Sequence, residues 1–95
     1  MNAPKRGWTV FCSEVAGEVL HSLPKPIESR LTDYLCELAR LGGALVDSGA
    51  SPPGKPLDAV GIEYTVSVDD VDACIEYMVI ADIKEFYIAD IVWAG

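Results

Sequence analysis

The stretch "IEYTVSVDDVDACIEYMV", residues 62–79, predicts two β-strands joined by an acidic turn. Its first part alternates between apolar and polar side chains, the pattern of a strand with one buried face, and the apolar set is Ile62, Tyr64, Val66 and Val68. "VDDVD" at 68–72 supplies the turn, and the second strand covers 73–80. A third strand, "KEFYIADIVWA" at 84–94, is apolar on both faces, which favours a central or doubly covered position.

A further strand and a short helix are predicted near the start of the chain. "WTVFC" at 8–12 is rich in β-branched and aromatic residues, as strands are. Ser13 can cap a short helix that runs to about His21, and Glu14 is favourable in the first turn of that helix. We expect the strand to join the sheet beside one of the three later strands.

A longer helix follows "LPKP" at 23–26, where one proline ends the preceding helix and the other suits the first turn of the next. Apolar residues then recur at helical spacing over 27–41, which predicts an amphipathic helix of about four turns. Gly42 and Gly43 are expected to end it. Residues 44–61 contain three prolines and three glycines and are predicted to form a long irregular loop.

The predicted order of elements is β-α-α-β-β-β. Because helices precede a run of strands, this order predicts an α+β fold. We expect an antiparallel four-stranded sheet with a two-helix hairpin packed on one face. Residues 8–93 are expected to form one domain after an N-terminal tail of residues 1–7.

The net negative charge of the chain lies entirely in its second part. Residues 1–56 hold six acidic and six basic side chains, whereas residues 57–95 hold nine acidic side chains and a single lysine, Lys84. An acidic surface repels phosphate groups and attracts cationic partners. We therefore expect no direct binding to nucleic acid. The aromatic residues of this part could stack on bases, but without positive charge nearby they are expected to pack in the core: Tyr64, Tyr77, Tyr87 and Trp93.

Other features of the sequence predict a cytoplasmic protein without a cofactor. The three cysteines, Cys12, Cys36 and Cys74, are odd in number and lack metal-ligand spacing, so we expect reduced, mostly buried thiols and no metal site. No apolar run reaches the roughly 20 residues that cross a membrane. No apolar region follows the basic start of the chain to make a signal peptide.

Several segments resemble the RelE/ParE superfamily of bacterial toxins. They are "WTVF" in the first strand, "SLPKPIESRLTDYLCEL" around the long helix, "GKPL" at the end of the loop, and "GIEYTVSVDD" and "IEYMV" in the later strands. The resemblance covers most of residues 8–93. It implies a toxin-like component of a type II toxin–antitoxin module, a cognate antitoxin as partner, and the ribosome or DNA gyrase as target.

The basic residues that the resemblance implies for a ribonuclease are missing. In such toxins, arginines and lysines on the open face of the sheet stabilise the charged phosphate while messenger RNA is cleaved. At the matching positions this chain has Glu63, Thr65, Ser67 and Glu76. No catalytic set therefore transfers to this chain, and the sequence leaves open whether it is an enzyme.

Candidate site residues nevertheless follow from the predicted strands. The catalytic candidates are one base in the loop and three carboxylates: Lys55, Glu63, Glu76 and Asp90. The carboxylates can form an acid/base pair or bind a divalent cation only if their strands are in register. The binding candidates are the polar residues of the open face: Glu63, Thr65, Ser67 and Glu76. A solvated acidic face, or one that docks a basic peptide, is the alternative, and His21 is expected to be structural.

Three functions compete. The first is a toxin-like component that acts mainly through protein contacts. The second is a non-toxic acidic binding or regulatory module on the same fold. The third is a ribosome-dependent mRNA endonuclease with a non-standard site around Lys55 and Glu63.

Overall fold

The structure of the protein is a computed structural model that describes residues 7–95. The predicted tail therefore lies, except for Gly7, outside the described residues. The strands are β1 (Thr9–Cys12), β2 (Lys55–Pro56), β3 (Glu63–Val68), β4 (Ala73–Ile80) and β5 (Glu85–Trp93). The helices are α1 (Glu14–Ser22), α2 (Lys25–Glu37) and α3 (Gly43–Asp47), and short 3₁₀ turns at Asp69–Val71 and Ala81–Ile83 join the last three strands.

The sheet is mixed and has five strands in the order β1-β5-β4-β3-β2. The α+β class and the place of β1 beside a later strand are confirmed, but the antiparallel four-stranded sheet is wrong. β1 runs parallel to β5, with Thr9 opposite Glu85 and Cys12 opposite Ile88. The expectation rested on the run of strands that follows the helices, and these strands, β3, β4 and β5, are joined by short turns and do pair antiparallel. No such turn joins β1 to its neighbour, because the helices follow β1 directly, and parallel pairing needs such a long connection.

The fifth strand, β2, is two residues long and lies opposite Thr65 and Tyr64 on β3. So short a strand has no alternation to reveal it, and its proline is tolerated because β2 is an edge strand. Gly54, which precedes it, has a φ of 100°, and a Cβ there would lie 2.2 Å from the carbonyl oxygen of Thr65. Glycine is therefore needed for the chain to pass so close to β3.

The long helix continues past its predicted end. A π-helical turn, Leu38–Gly42, follows α2 and leads into α3 with helical backbone angles throughout. A Cβ on Gly43 would lie 2.5 Å from the indole ring of Trp8, and one on Gly42 would lie 3.2 Å from the ring of Phe86. Both glycines are buried, so they allow the helix to pack closely on the sheet and do not end it.

The helices cover one face of the sheet and bury the apolar side of its strands. Phe86 lies at the centre of this core, where its ring stacks on Trp8 at 4.6 Å and meets Tyr77 edge-on at 5.6 Å. Each large side chain buried in this way contributes about 1.5–3 kcal/mol to folding. The largest fully buried side chains are Tyr77, Phe86, Leu31, Leu38, Ile75, Ile88 and Ile91.

The three thiols are free, but they are less buried than expected. Cys12 and Cys74 are half-buried, whereas Cys36 is exposed on α2. Leu35, one position earlier, points into the core, and adjacent helical positions point in different directions.

The helices of residues 7–95 include none with the length and apolar character that a membrane span requires.

Candidate functional site

One face of the sheet carries every catalytic and binding candidate that the sequence named, namely Lys55, Glu63, Thr65, Ser67, Glu76 and Asp90. Tyr64, Tyr77 and Ile88 pair across three strands and are buried under the helices. Paired residues point to the same side of a sheet, and residues adjacent along a strand point to opposite sides. We call the side away from the helices the open face. It comprises Thr9, Phe11, Lys55, Glu63, Thr65, Ser67, Cys74, Glu76, Met78, Ile80, Glu85, Tyr87, Asp90 and Val92.

Four of the predicted residues form one row across the open face. Lys55 lies opposite Thr65, Thr65 opposite Glu76, and Glu76 opposite Asp90. Neighbouring strands are about 4.8 Å apart, so the row is roughly 14 Å long. The register therefore brings Glu76 and Asp90 together, and it places Lys55 at the other end of the row.

The two remaining candidates lie in adjacent rows. Glu63 lies opposite Met78, and Ser67 lies opposite Cys74. Each is two positions along β3 from Thr65, or about 7 Å along the strand. Glu63 and Ser67 are therefore on opposite sides of the row that contains Glu76.

A bulge in β5 sets the position of Asp90. The pairing between β4 and β5 shifts by one residue after Glu76, which leaves Ala89 as the extra residue. One carboxylate oxygen of Asp90 accepts a hydrogen bond from the N–H of Ile91 at 2.9 Å. Bulges commonly redirect a side chain in this way at functional sites.

The carboxylates of the open face have no basic partner among residues 7–95. The ion pairs that join distant parts of the described chain lie elsewhere. The guanidinium of Arg30 on α2 holds Asp70 in the turn after β3, with an N–O distance of 2.6 Å, and lowers the pKa of that carboxyl. Lys84 is 3.6 Å from Asp47 at the end of α3. The open face is therefore acidic, and its one lysine, Lys55, is exposed.

The acidic side chains do not form a metal site in the part of the chain that the structure describes. Residues 7–95 contain no group of three or more His, Cys, Asp or Glu side chains that could hold a metal ion. Glu63 is displaced by one row from the pair of Glu76 and Asp90. The pair alone provides two carboxylates, and a cation such as Ca²⁺ takes six to eight oxygen ligands.

A pocket of about 70 Å³ opens on this face between two of the carboxylates. Its lining residues are Leu57, Glu63, Tyr64, Glu76, Tyr77, Met78 and Ala89. Sites for cofactors and drug-sized ligands are typically about 300–1,000 Å³, so this pocket is too small for a nucleotide. Its size suits the end of one side chain of another molecule.

Leu57 reaches the pocket because the loop before β3 folds back on that strand. Its N–H donates to the carbonyl oxygen of Glu63 at 2.7 Å. The carboxylate of Asp58 accepts hydrogen bonds from the N–H groups of Gly61, Ile62 and Glu63 at 2.8–3.1 Å. Partial desolvation opposes ionisation of Asp58, but these donors outweigh it and lower its pKa. Leu57 could not be named from the sequence, because the pattern there predicts only an irregular loop.

An exposed aromatic pair was also missed. Phe11 on β1 stacks on Tyr87 of β5, with ring centroids 6.0 Å apart, and 57% of its surface is exposed. Tyr87 was expected in the core and lies on the open face instead, whereas Tyr64 and Tyr77 are buried as expected. Which aromatic rings face outwards depends on the register between β1 and β5. That register cannot be read from the local sequence pattern.

His21 lies in the last turn of α1, away from the open face. Its Nδ1 is 3.2 Å from the carboxylate of Glu28 on α2, and its side chain is largely exposed. Hydrogen bonds from His21 and Lys25 lower the pKa of Glu28. These contacts agree with the structural role expected for this histidine.

A groove lies on the other side of the molecule, between the outer edge of β1 and α2. It consists of two adjoining pockets of about 420 and 390 Å³ that share Cys36 and Ala39. We call it the β1–α2 groove. The charged residues near it are already paired, Arg40 with Glu37 at 2.9 Å and Asp47 with Lys84.

Comparison with solved structures shows a RelE-like fold. The RelBE2 toxin–antitoxin complex of Mycobacterium tuberculosis matches with a TM-score of 0.71 and 18% identity, over 93% of this chain and 99% of that chain. The isolated E. coli RelE toxin matches with a TM-score of 0.68 and 15% identity, over 93% and 85%. The intact E. coli RelBE complex matches with a TM-score of 0.67 and 15% identity, over 93% and 98%.

The likeness at these identities concerns the fold alone. Neither a protein-family model nor a curated protein sequence matches the chain.

Proposed function

We propose that this chain is the RelE-like component of a type II toxin–antitoxin module and that it acts mainly through protein contacts. Two of the solved structures with this fold are toxin–antitoxin complexes, which supports an antitoxin as partner. Residues 8–93 serve as its single functional domain. Its target is a protein or a protein-rich assembly such as gyrase or the ribosome, reached in the bacterial cytoplasm.

The observation that carries this proposal is the row of Lys55, Thr65, Glu76 and Asp90 on the open face, which we call the acidic row because it ends in two carboxylates. A phosphate group placed over the row would approach Glu76 and Asp90, and each contact between like charges at about 4 Å costs roughly 1–4 kcal/mol. Lys55, at the far end of the row, can offset at most one such contact. Cleavage of RNA at the usual positively charged site is therefore disfavoured. Contact with a protein is not disfavoured by this charge.

A second candidate is a non-toxic binding or regulatory module on the same fold. The same acidic face favours it, because a module of this kind needs a contact surface but no residue that harms the cell. A third candidate is an endonuclease with a non-standard site. It is supported by the pairing of Glu76 with Asp90, where one carboxyl acts as acid and the other as base, and Lys55 or Glu63 assists.

The test is induced expression of the chain in a bacterial host, with growth recorded and messenger RNA 5′ ends mapped. Growth arrest without new RNA ends supports action on a protein. Growth arrest with new ends supports the endonuclease, in which case Glu76→Gln should restore growth. The matched control is Glu18→Gln, the same change at an exposed position on α1, which should leave the arrest in place.

Normal growth at high soluble expression contradicts a toxic function in that host and supports the binding module. If growth does stop, a double variant, Lys55→Ala with Glu76→Gln, tests whether the open face is responsible. A toxin that acts through the open face loses toxicity in this variant, whereas the helix variant Lys25→Ala keeps it.

A further inference from the structure

We propose that the open face binds a cationic, amphipathic segment of a protein partner and holds one of its lysine or arginine side chains in the pocket between Glu63 and Glu76. This inference rests on the proposed function and specifies the chemistry of the partner. Three features of the face support it: exposed apolar side chains, unpaired carboxylates, and a pocket of suitable size.

The apolar part of the face is a strip across three strands. Phe11 lies opposite Tyr87 on β5, and Tyr87 lies opposite Met78 on β4. Phe11 is 57% exposed, and Val92, on the same face, is 55% exposed. Exposed aromatic and apolar groups that are surrounded by charged residues are typical of protein-binding surfaces.

The charged part of the face determines the sign of the partner. Four carboxylates surround or continue the apolar strip, and none has an ion-pair partner in the described chain: Glu63, Glu76, Glu85 and Asp90. Lys55 is the one base on the face within residues 7–95. A segment that brings positive charge to the strip gains attraction from these carboxylates, whereas an acidic segment or a nucleic acid would add repulsion.

The pocket gives the positive charge a defined place. Leu57, Met78 and Ala89 provide apolar contact, and Glu63 and Glu76 provide two carboxylates at the same pocket. Lysine and arginine combine an apolar stem with a charged end, so such a side chain can satisfy both kinds of lining. At about 70 Å³ the pocket has a size that suits the charged end of one such side chain.

The β1–α2 groove does not offer the same complementarity. Asp47, the one acidic residue among its described lining residues, is already paired with Lys84, and nearby Glu37 is paired with Arg40. A cationic segment would have to break those pairs to gain new ones. The open face requires no such exchange.

The experiment uses the whole chain and three short synthetic peptides, which alternate leucine with lysine, serine with lysine, and leucine with glutamate. Binding is measured by calorimetry at about 0.05 M and about 0.5 M salt, and the site is located by changes in NMR amide shifts. Glu63→Gln/Glu76→Gln removes two charges from the pocket. Glu18→Gln/Asp33→Asn removes two exposed charges from the helices and is the matched control.

The leucine–lysine peptide should bind, with shifts at Met78 and Tyr87, and the other two peptides should bind at least about tenfold more weakly. The pocket variant should bind it about tenfold more weakly, while the control variant changes affinity by less than about twofold. An equal loss in both variants would show that only net charge matters and overturns the inference. Shifts confined to Thr32, Leu35 and Ala39 overturn it as well, because they locate binding in the β1–α2 groove.

The result of the peptide-binding experiment can be distinguished from the result of the expression test of the proposed function. Selective binding at the pocket without any effect of the chain on growth supports the inference and contradicts a toxic role. Growth arrest without RNA cleavage, together with no peptide binding, overturns the inference and leaves the proposed function in place.

Discussion

The hydroxyl of Ser13 donates a hydrogen bond to the carbonyl oxygen of Ala89, 2.9 Å away, and accepts one from the N–H of Ala16 at 3.0 Å. The first bond holds the extra residue of the β5 bulge, next to Asp90, and the second caps α1. One side chain therefore connects the helical layer to the part of the sheet that positions the acidic row.

Replacement of Ser13 by alanine should weaken both the cap and the bulge. We expect the free energy of unfolding to fall by about 1–3 kcal/mol, since a lost cap costs about 1 kcal/mol and an unpaired carbonyl adds to it. Urea denaturation measures the change. Ser29→Ala, at an exposed position on α2, should change stability by less than about 0.5 kcal/mol, and an equal effect of both variants would contradict this role of Ser13.

Gly54→Ala and Gly17→Ala should have opposite effects. Alanine at position 54 would have an unfavourable φ of 100°, and its Cβ would lie 2.2 Å from the carbonyl oxygen of Thr65. We expect this Cβ to force β2 away from β3, at a cost of about 2 kcal/mol or more. At Gly17, inside α1, a Cβ meets no atom within 4 Å, so alanine should stabilise the helix by about 0.5–1 kcal/mol. Thermal unfolding of the two variants shows the difference directly, and a shift in the same direction would refute it.

Tyr77→Phe should release the loop before β2. The Tyr77 hydroxyl donates to the carbonyl oxygen of Pro53, and its loss should lower stability by about 1 kcal/mol. Tyr87→Phe, on the open face, is the control and should change stability by less than about 0.5 kcal/mol. Limited proteolysis of the loop provides a second measurement, because cleavage near Pro53 should become faster only in the first variant.

The alkaline stability of the protein should also depend on Tyr77. Burial raises the pKa of its phenol, so the folded state keeps a proton that the unfolded state loses above about pH 10. The folded state then binds more protons, and stability falls as the pH rises. Denaturation at about pH 8 and about pH 11 should show a smaller fall for Tyr77→Phe than for the unchanged chain. An identical fall in both would mean that Tyr77 does not titrate differently on unfolding.

Asp58→Asn should weaken the protein in a pH-dependent way. Because the pKa of Asp58 is lowered in the folded state, its stabilisation is present above the ordinary carboxyl pKa of about 3.9 and is lost as the pH falls through the lowered value. The variant should be less stable at neutral pH and should lose less stability between about pH 5 and pH 2. Asp82→Asn, in the exposed turn before β5, is the matched control and should change stability at neutral pH by less than about 0.5 kcal/mol.

Much of the fold could be predicted from local patterns. The alternation in β3 and the helical spacing of α2 both reflect one buried face, and a single pattern of this kind is visible in the sequence. The two glycines at the end of α2 show the limit of such reasoning. Glycines at such positions usually signal a helix end. Here Gly42 and Gly43 are needed because the rings of Phe86 and Trp8, which are distant in sequence, lie close to the helix backbone.

The candidate site depended still more on long-range pairing. Glu63, Glu76 and Asp90 could be named from their strands, but only the register shows that Glu76 faces Asp90 and that Glu63 does not. The bulge at Ala89 is what aligns the pair, and nothing in the local sequence marks it. Phe11 was overlooked for the same reason, since its exposure follows from the parallel pairing of β1 with β5.

The place of β5 between β1 and β4 has a consequence for how the protein is made. β5 follows the other four strands in sequence, yet it is the strand that joins β1 to the rest of the sheet. During synthesis, β1 therefore remains without its neighbouring strand, and α1 without its main partner in the sheet, until β5 leaves the ribosome. The nascent chain is exposed to aggregation and proteolysis during that interval.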